Sequence, residues 1–156
     1  MEIKLIIVKE EEKVVLKELI EEYEKELLNI ENPSEYKYLD SYWEKENRFP
    51  YFIKIDDKIG GFVLVNGHTL VNKDGKNIAE FYVKKEFRKN RVGKTTAMEV
   101  FDLFKGNWEV REIEENPNAR TFWVKVIDEY TGHEFKEVKM NNQSWVGWIQ
   151  TFNNLL

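Results

Sequence analysis

The chain has 156 residues, of which 42% are apolar, 14% aromatic and 34% charged, a composition that predicts one folded domain over 1–156 rather than a disordered chain. It has no cysteine and only two histidines, His68 and His133, which excludes a disulfide scaffold, a thiol nucleophile and a Cys-ligated metal centre, and no metal is expected. A net charge of −5 argues against a nucleic-acid partner. No apolar run approaches the roughly 18 residues of a membrane span, so a cytoplasmic protein without a membrane partner is expected.

Residues 3–8 are apolar and β-branched and read as a short buried strand. Over 11–30, Leu16, Leu19, Ile20, Tyr23 and Leu27 fall on one face with acids and lysines opposite, the pattern of an amphipathic helix. Asn32-Pro33-Ser34-Glu35 reads as the capped start of a short second helix. Residues 36–48 then crowd Tyr36, Tyr38, Tyr42 and Trp43 together.

Strands are predicted at 50–55 and 59–66, joined by a tight turn at Asp56-Asp57-Lys58, and at 77–83. Helical spacing returns over 92–105 through Ala97, Val100, Phe101 and Phe104, and Gly106 ends it. A strand at 108–113 leads to Asn116-Pro117, which caps a helix over 117–128. Strands at 133–139 and 144–152 close the chain, with His133 as a surface strand residue and His68 in a turn. Trp145 and Trp148 point to opposite faces of the last strand, which predicts that at least one packs in the core. The order β-α-α-β-β-β-α-β-α-β-β is an α+β arrangement, a mixed sheet of about seven strands flanked by about four helices, with its parallel pair around the 92–105 helix.

Charge is distributed unevenly. Residues 84–94, KKEFRKNRVGK, hold Lys84, Lys85, Arg88, Lys89, Arg91 and Lys94 against the single acid Glu86. This basic stretch lies between a predicted strand and a predicted helix start, where unpaired backbone N–H groups and a partial positive charge favour an anion. Gly93 lets those amides come close to a ligand. A solvated basic loop without a ligand is the alternative. The spacing departs from the phosphate loop of nucleoside triphosphatases, because Arg88 stands where that motif needs its first glycine.

The segment 80–102, EFYVKKEFRKNRVGKTTAMEVFD, resembles motif A of the GNAT superfamily of acyl-CoA-dependent N-acyltransferases: a strand ending in a Val-like residue, then R/Q-x-x-G-x-G/A opening a helix. Arg88 takes the first motif position and Gly93 the last. Asn116-Pro117-Asn118-Ala119, followed by Phe122-Trp123-Val124-Lys125, is similar to motif B of the same family. Two residues depart from the pattern. Arg91 replaces the middle glycine of motif A, and Trp123 stands where the family often carries the tyrosine that serves as general acid.

The resemblance implies acetyl-CoA as co-substrate, with the main chain of Arg88, Lys89, Asn90, Arg91, Val92, Gly93 and Lys94 around its pyrophosphate and the side chain of Arg88, Lys89 or Lys94 facing its phosphates. Tyr82 and Val83 would meet the pantetheine arm as an added strand does, and a main-chain N–H near Val83 would stabilise the oxyanion. Asn116 would lie near the same arm, or act only as a helix N-cap. The implied chemistry is direct attack of a primary amine, on a small molecule or a peptide, at the acetyl thioester. The amine must first lose a proton, and Glu80 is the candidate base; it could instead bind the substrate ammonium or be an ordinary strand residue. Tyr38, Tyr42 and Trp43 are candidate acceptor-binding residues through their π faces, or core residues. A non-catalytic acyl-CoA-binding sensor is the alternative function. A homodimer paired through the 144–152 strand is a further expectation.

Overall fold

The chain folds as β1 (Ile3–Ile7), α1 (Lys13–Leu27), α2 (Ser41–Glu44), β2 (Arg48–Ile55), β3 (Lys58–Asn66), β4 (Lys76–Val83), α3 (Val92–Leu103), β5 (Asn107–Ile113), α4 (Pro117–Thr131), β6 (Lys136–Asn141) and β7 (Val146–Asn153). The structure is a computed structural model and describes residues 1–27 and 38–155. The capped helix expected at 32–35, Tyr36 and the last turn of the 11–30 helix lie outside the described residues. The strands form one seven-stranded mixed sheet in the order β1-β2-β3-β4-β5-β7-β6, the α+β architecture expected. Its parallel pair is β4 with β5, Lys76 opposite Trp108 and Ile78 opposite Val110, with α3 as the crossover.

The chain divides into two compact units, Met1–Val65 with Glu80–Val92, and Asn66–Ala79 with Gly93–Leu156. In the first, the apolar stripe of α1 buries Leu16, Leu19 and Ile20, while β2 and β3 bury Phe52, Ile53, Phe62, Val63, Leu64 and Val65. Asp56 and Asp57 close the β2–β3 hairpin with both φ angles positive (49° and 68°), the twist a two-residue hairpin turn requires. Gly61 on β3 is required by close approach: a Cβ there would overlap the carbonyl oxygen of Tyr82 on β4.

In the second unit Phe101 of α3 meets Phe152 at 4.9 Å, Trp108 and Tyr130 at 5.1 Å and Trp123 at 6.2 Å between ring centroids. α4 is capped at both ends. Asn116 accepts the N–H of Ala119 and Pro117 occupies the first turn, while Gly132 turns left-handed (φ 61°) and the His133 N–H closes on the Asp128 carbonyl at 2.9 Å. The helix therefore ends at Thr131 rather than 128. His133 lies in the turn beyond it (φ 74°) rather than in a strand, and β6 begins only at Lys136. Neither Trp145 nor Trp148 is in the core. Each is half-buried under a cation, Arg111 over Trp145 at 5.4 Å and Arg120 over Trp148 at 4.7 Å, because a guanidinium can roof an indole face that a strand leaves open. β7 is hydrogen-bonded to β5 on one side and β6 on the other. It has no free edge to pair across a dimer, so the strand expected to do so is the wrong one.

Two carboxylates on β5 of the same unit show how burial is resolved. Glu109 is fully buried and accepts the N–H groups of Leu70, Val71 and Asn72 at 2.6–3.0 Å, which ties down the loop before β4. Glu112 is 4% exposed; Gln150 donates to its Oε1 at 2.8 Å, but Glu112 Oε2 and Gln150 Oε1 are buried acceptors without a donor among the described residues. Burial raises Glu112 to a pKa of about 7, against the Gln150 hydrogen bond, and Glu137 adds to the rise. A proton on Glu112 converts one of the two orphaned acceptors into a donor. With the folded pKa above the unfolded one, this group's stabilisation is full below about pH 4.5 and is lost as pH rises through about 7. Glu112→Gln should therefore flatten the fall in stability between pH 5 and 8 by on the order of 1–2 kcal/mol, read as melting temperature against pH.

Candidate active site

The two-residue period of β4 places Glu80 and Tyr82 on one face, and within the first unit that face meets α1. The Tyr23 hydroxyl donates to Glu80 Oε2 at 2.7 Å. The Tyr23 ring packs against those of Phe62 and Tyr82, the three centroids lying 5.6–5.9 Å apart. Burial raises Glu80 to a pKa of about 7; the Tyr23 hydrogen bond opposes the rise and the neighbouring Glu24 adds to it. The residue keeps partial exposure. A partly exposed carboxyl that titrates near neutrality can take a proton from an incoming group.

Tyr82 is buried, and its hydroxyl is shared between Glu26 at 3.0 Å and Glu22 at 3.3 Å, both on α1. Burial, first, and then these acids push its phenol above the usual range. Arg88 is already employed within this unit. Its Nε donates to the Val83 carbonyl at 2.7 Å, its Nη2 pairs with Glu26 Oε2 at 2.6 Å, and its guanidinium lies 5.6 Å from the Tyr82 ring centroid. Burial works against the Glu26 charge, but the Arg88 and Tyr82 hydrogen bonds outweigh it and hold the carboxyl below its ordinary value. Arg88 thus ties the loop after β4 to α1.

Beyond Arg88 the loop turns sharply. Asn90 (φ 59°) and Arg91 (φ 60°) are consecutive left-handed residues, and Val92, buried, starts α3. Arg91 keeps the backbone conformation that a glycine adopts freely and, like Lys89, is exposed. In the second unit Gly93 faces the Phe122 ring, Lys94 pairs with Glu129, and Asn116 serves as the α4 cap. Back in the first unit, Tyr38 is exposed, Tyr42 is buried with Arg48 5.9 Å from its ring centre, and Trp43 donates to the Val8 carbonyl with Lys13 at 5.7 Å. The π faces of Tyr42 and Trp43 are thus approached by the chain's own cations. Tyr23 was read from the sequence only as part of an apolar stripe. The signal available was its hydroxyl, since a phenol on a buried helix face needs a partner.

A sequence profile of the acetyltransferase (GNAT) family matches residues 16–128. The chain belongs to this family. GNAT proteins are acyl-CoA-dependent acetyltransferases, and the enzyme class follows from membership. The chain is similar in fold to an acetyltransferase from Thermus thermophilus (TM-score 0.72, 12% identity, covering 98% of this chain and 97% of that one). It is also similar to a GNAT acetyltransferase from Staphylococcus aureus (TM-score 0.65, 16% identity, 97% and 99% covered). A third similar structure is the PaiA N-acetyltransferase of Thermoplasma acidophilum in complex with coenzyme A (TM-score 0.66, 16% identity, 98% and 99% covered). A search of curated protein sequences found no match. No helix among the described residues is long and apolar enough to cross a membrane.

In this GNAT chain Trp123 is 7% exposed and packs edge-on against Phe122 at 5.0 Å. Its indole is a core group without a titratable proton. The loop between β4 and α3 suits a diphosphate in the chemistry of its donors: two successive left-handed residues make a turn of the kind that can gather main-chain amides around an anion, and exposed Lys89 and Arg91 supply positive charge.

Proposed function

We propose that this chain transfers the acetyl group of acetyl-CoA to a primary amine of a small molecule or peptide by direct attack, with Glu80 as the base. The observation that carries the reading is the Glu80 site: a partly exposed carboxyl on β4, hydrogen-bonded by Tyr23, whose ring packs against Phe62 and Tyr82, and raised by burial to a pKa of about 7. Acetyl-CoA, when bound, supplies the thioester acyl group. The chain's own residues do the rest. Amides of the loop 88–92 hold the diphosphate, with the cations Lys89 and Arg91 in the same loop. Tyr23 occupies Glu80 Oε2, so Oε1 is the oxygen that takes the proton from the substrate ammonium, whose ordinary pKa is about 10. The chain's charge of −5 favours the approach of a cationic amine.

The test is to mix the protein with acetyl-CoA and a panel of amines and follow free thiol, with calorimetry of CoA alone in parallel. Thiol release that depends on the amine is expected. Failure to bind CoA together with no thiol release removes the proposal. Binding without turnover favours the sensor reading, which the missing motif B tyrosine motivates.

A further inference from the structure

We infer that Tyr23 is a positioning residue for Glu80: its hydroxyl, reaching from α1 to β4, fixes one carboxylate oxygen and leaves the other to meet the substrate amine. The inference rests on Glu80 being the base, and it adds a residue outside both sequence motifs. The Tyr23–Glu80 bond is 2.7 Å, in the short range typical of a hydroxyl donating to a carboxylate. The Tyr23 ring is held from two sides, edge-on to Phe62 at 5.8 Å and tilted against Tyr82 at 5.6 Å. With the ring fixed, the hydroxyl has little freedom to leave the carboxylate, and the carboxylate has little freedom to rotate.

The same bond keeps the base usable. Burial favours the neutral acid, and Glu24 on α1 acts in the same direction. Tyr82, next on the same face of β4, gives Glu80 no help, since its hydroxyl is taken by Glu22 and Glu26. On β3, Phe62 is apolar and fully buried. Among the described residues, Tyr23 is thus the group that favours the ionised form, the form able to accept a proton.

Tyr23→Phe keeps the ring packing and removes the hydroxyl. In the free protein the Glu80 carboxyl, followed by carbon-13 NMR against pH, should titrate roughly one pH unit higher than in the wild type. The acid limb of kcat/KM should move up with it, so that the loss is about fivefold at pH 7 and vanishes toward pH 9. A purely structural role would lower the rate equally at every pH. A fluorinated tyrosine at position 23, a stronger donor, should shift both curves downward and serves if the phenylalanine variant folds poorly. An unmoved carboxyl titration or a superimposable rate profile overturns the inference. The base reading fails separately: if Glu80→Gln keeps its full rate while Tyr23→Phe moves the carboxyl titration, Tyr23 orients Glu80 but Glu80 is not the base. If Glu80→Gln is inactive and Tyr23→Phe leaves the profile in place, Glu80 is the base and Tyr23 does not position it.

Discussion

Glu80→Gln is expected to lower kcat/KM by about a hundred- to ten-thousand-fold, the range associated with loss of a positioned general base. The substitution keeps the side-chain shape and still offers an oxygen to Tyr23, so CoA affinity should change little. The wild-type pH profile should show an acid limb near pH 7, set by a carboxyl that burial raises and Tyr23 restrains, and the residual activity of the variant should lack it. Stability should move in the opposite direction. A carboxyl with a raised folded pKa costs stability as it ionises through about pH 7, and the amide removes that cost. The variant should melt no lower than the wild type at pH 8, and stability lost together with activity would point to a structural role instead. Steady-state rates from pH 6 to 9 with parallel melting curves check both.

Substitutions at Arg91 separate main-chain from side-chain binding of the diphosphate. Arg91 stands at φ 60° directly after Asn90 at φ 59°. A glycine relieves that strain, whereas a β-branched residue resists it by about 1–2 kcal/mol or more. Arg91→Gly should retain the loop and lose only a surface charge, weakening CoA binding by about fivefold or less. Arg91→Ile should force the turn open and weaken binding by about tenfold or more. Calorimetric titration with CoA reads both. Equal losses in the two variants would show that the guanidinium, rather than the amides, makes the contact.

Most of the architecture was legible because it rests on periodicity. The element order, the helix faces and the parallel pair around α3 follow from where Val, Ile, Leu and Phe recur and where Asn116-Pro117 and Gly106 interrupt them. Boundaries shifted where capping geometry decided them: α4 ran on until Gly132 could adopt a left-handed turn, and His133 moved out of the strand. Trp145 and Trp148 were misplaced because alternation along β7 does not reveal the arginines that cover them.

Within the site, Glu80 could be singled out from its place ahead of the basic loop. Its pairing with Tyr23 could not, because the two are 57 residues apart and meet only when α1 packs on β4. The sequence alone also suggested Arg88 as a phosphate ligand, whereas the fold gives it to Glu26, Val83 and Tyr82. By itself, then, the sequence determined the element order, the helix caps, the basic loop and the family, since each depends on neighbours along the chain. Only the tertiary structure decided which hydroxyl holds the carboxyl, which acid holds Arg88 and how far Glu80 is pushed toward neutrality. Those outcomes depend on burial and on distances between segments that local pattern does not encode.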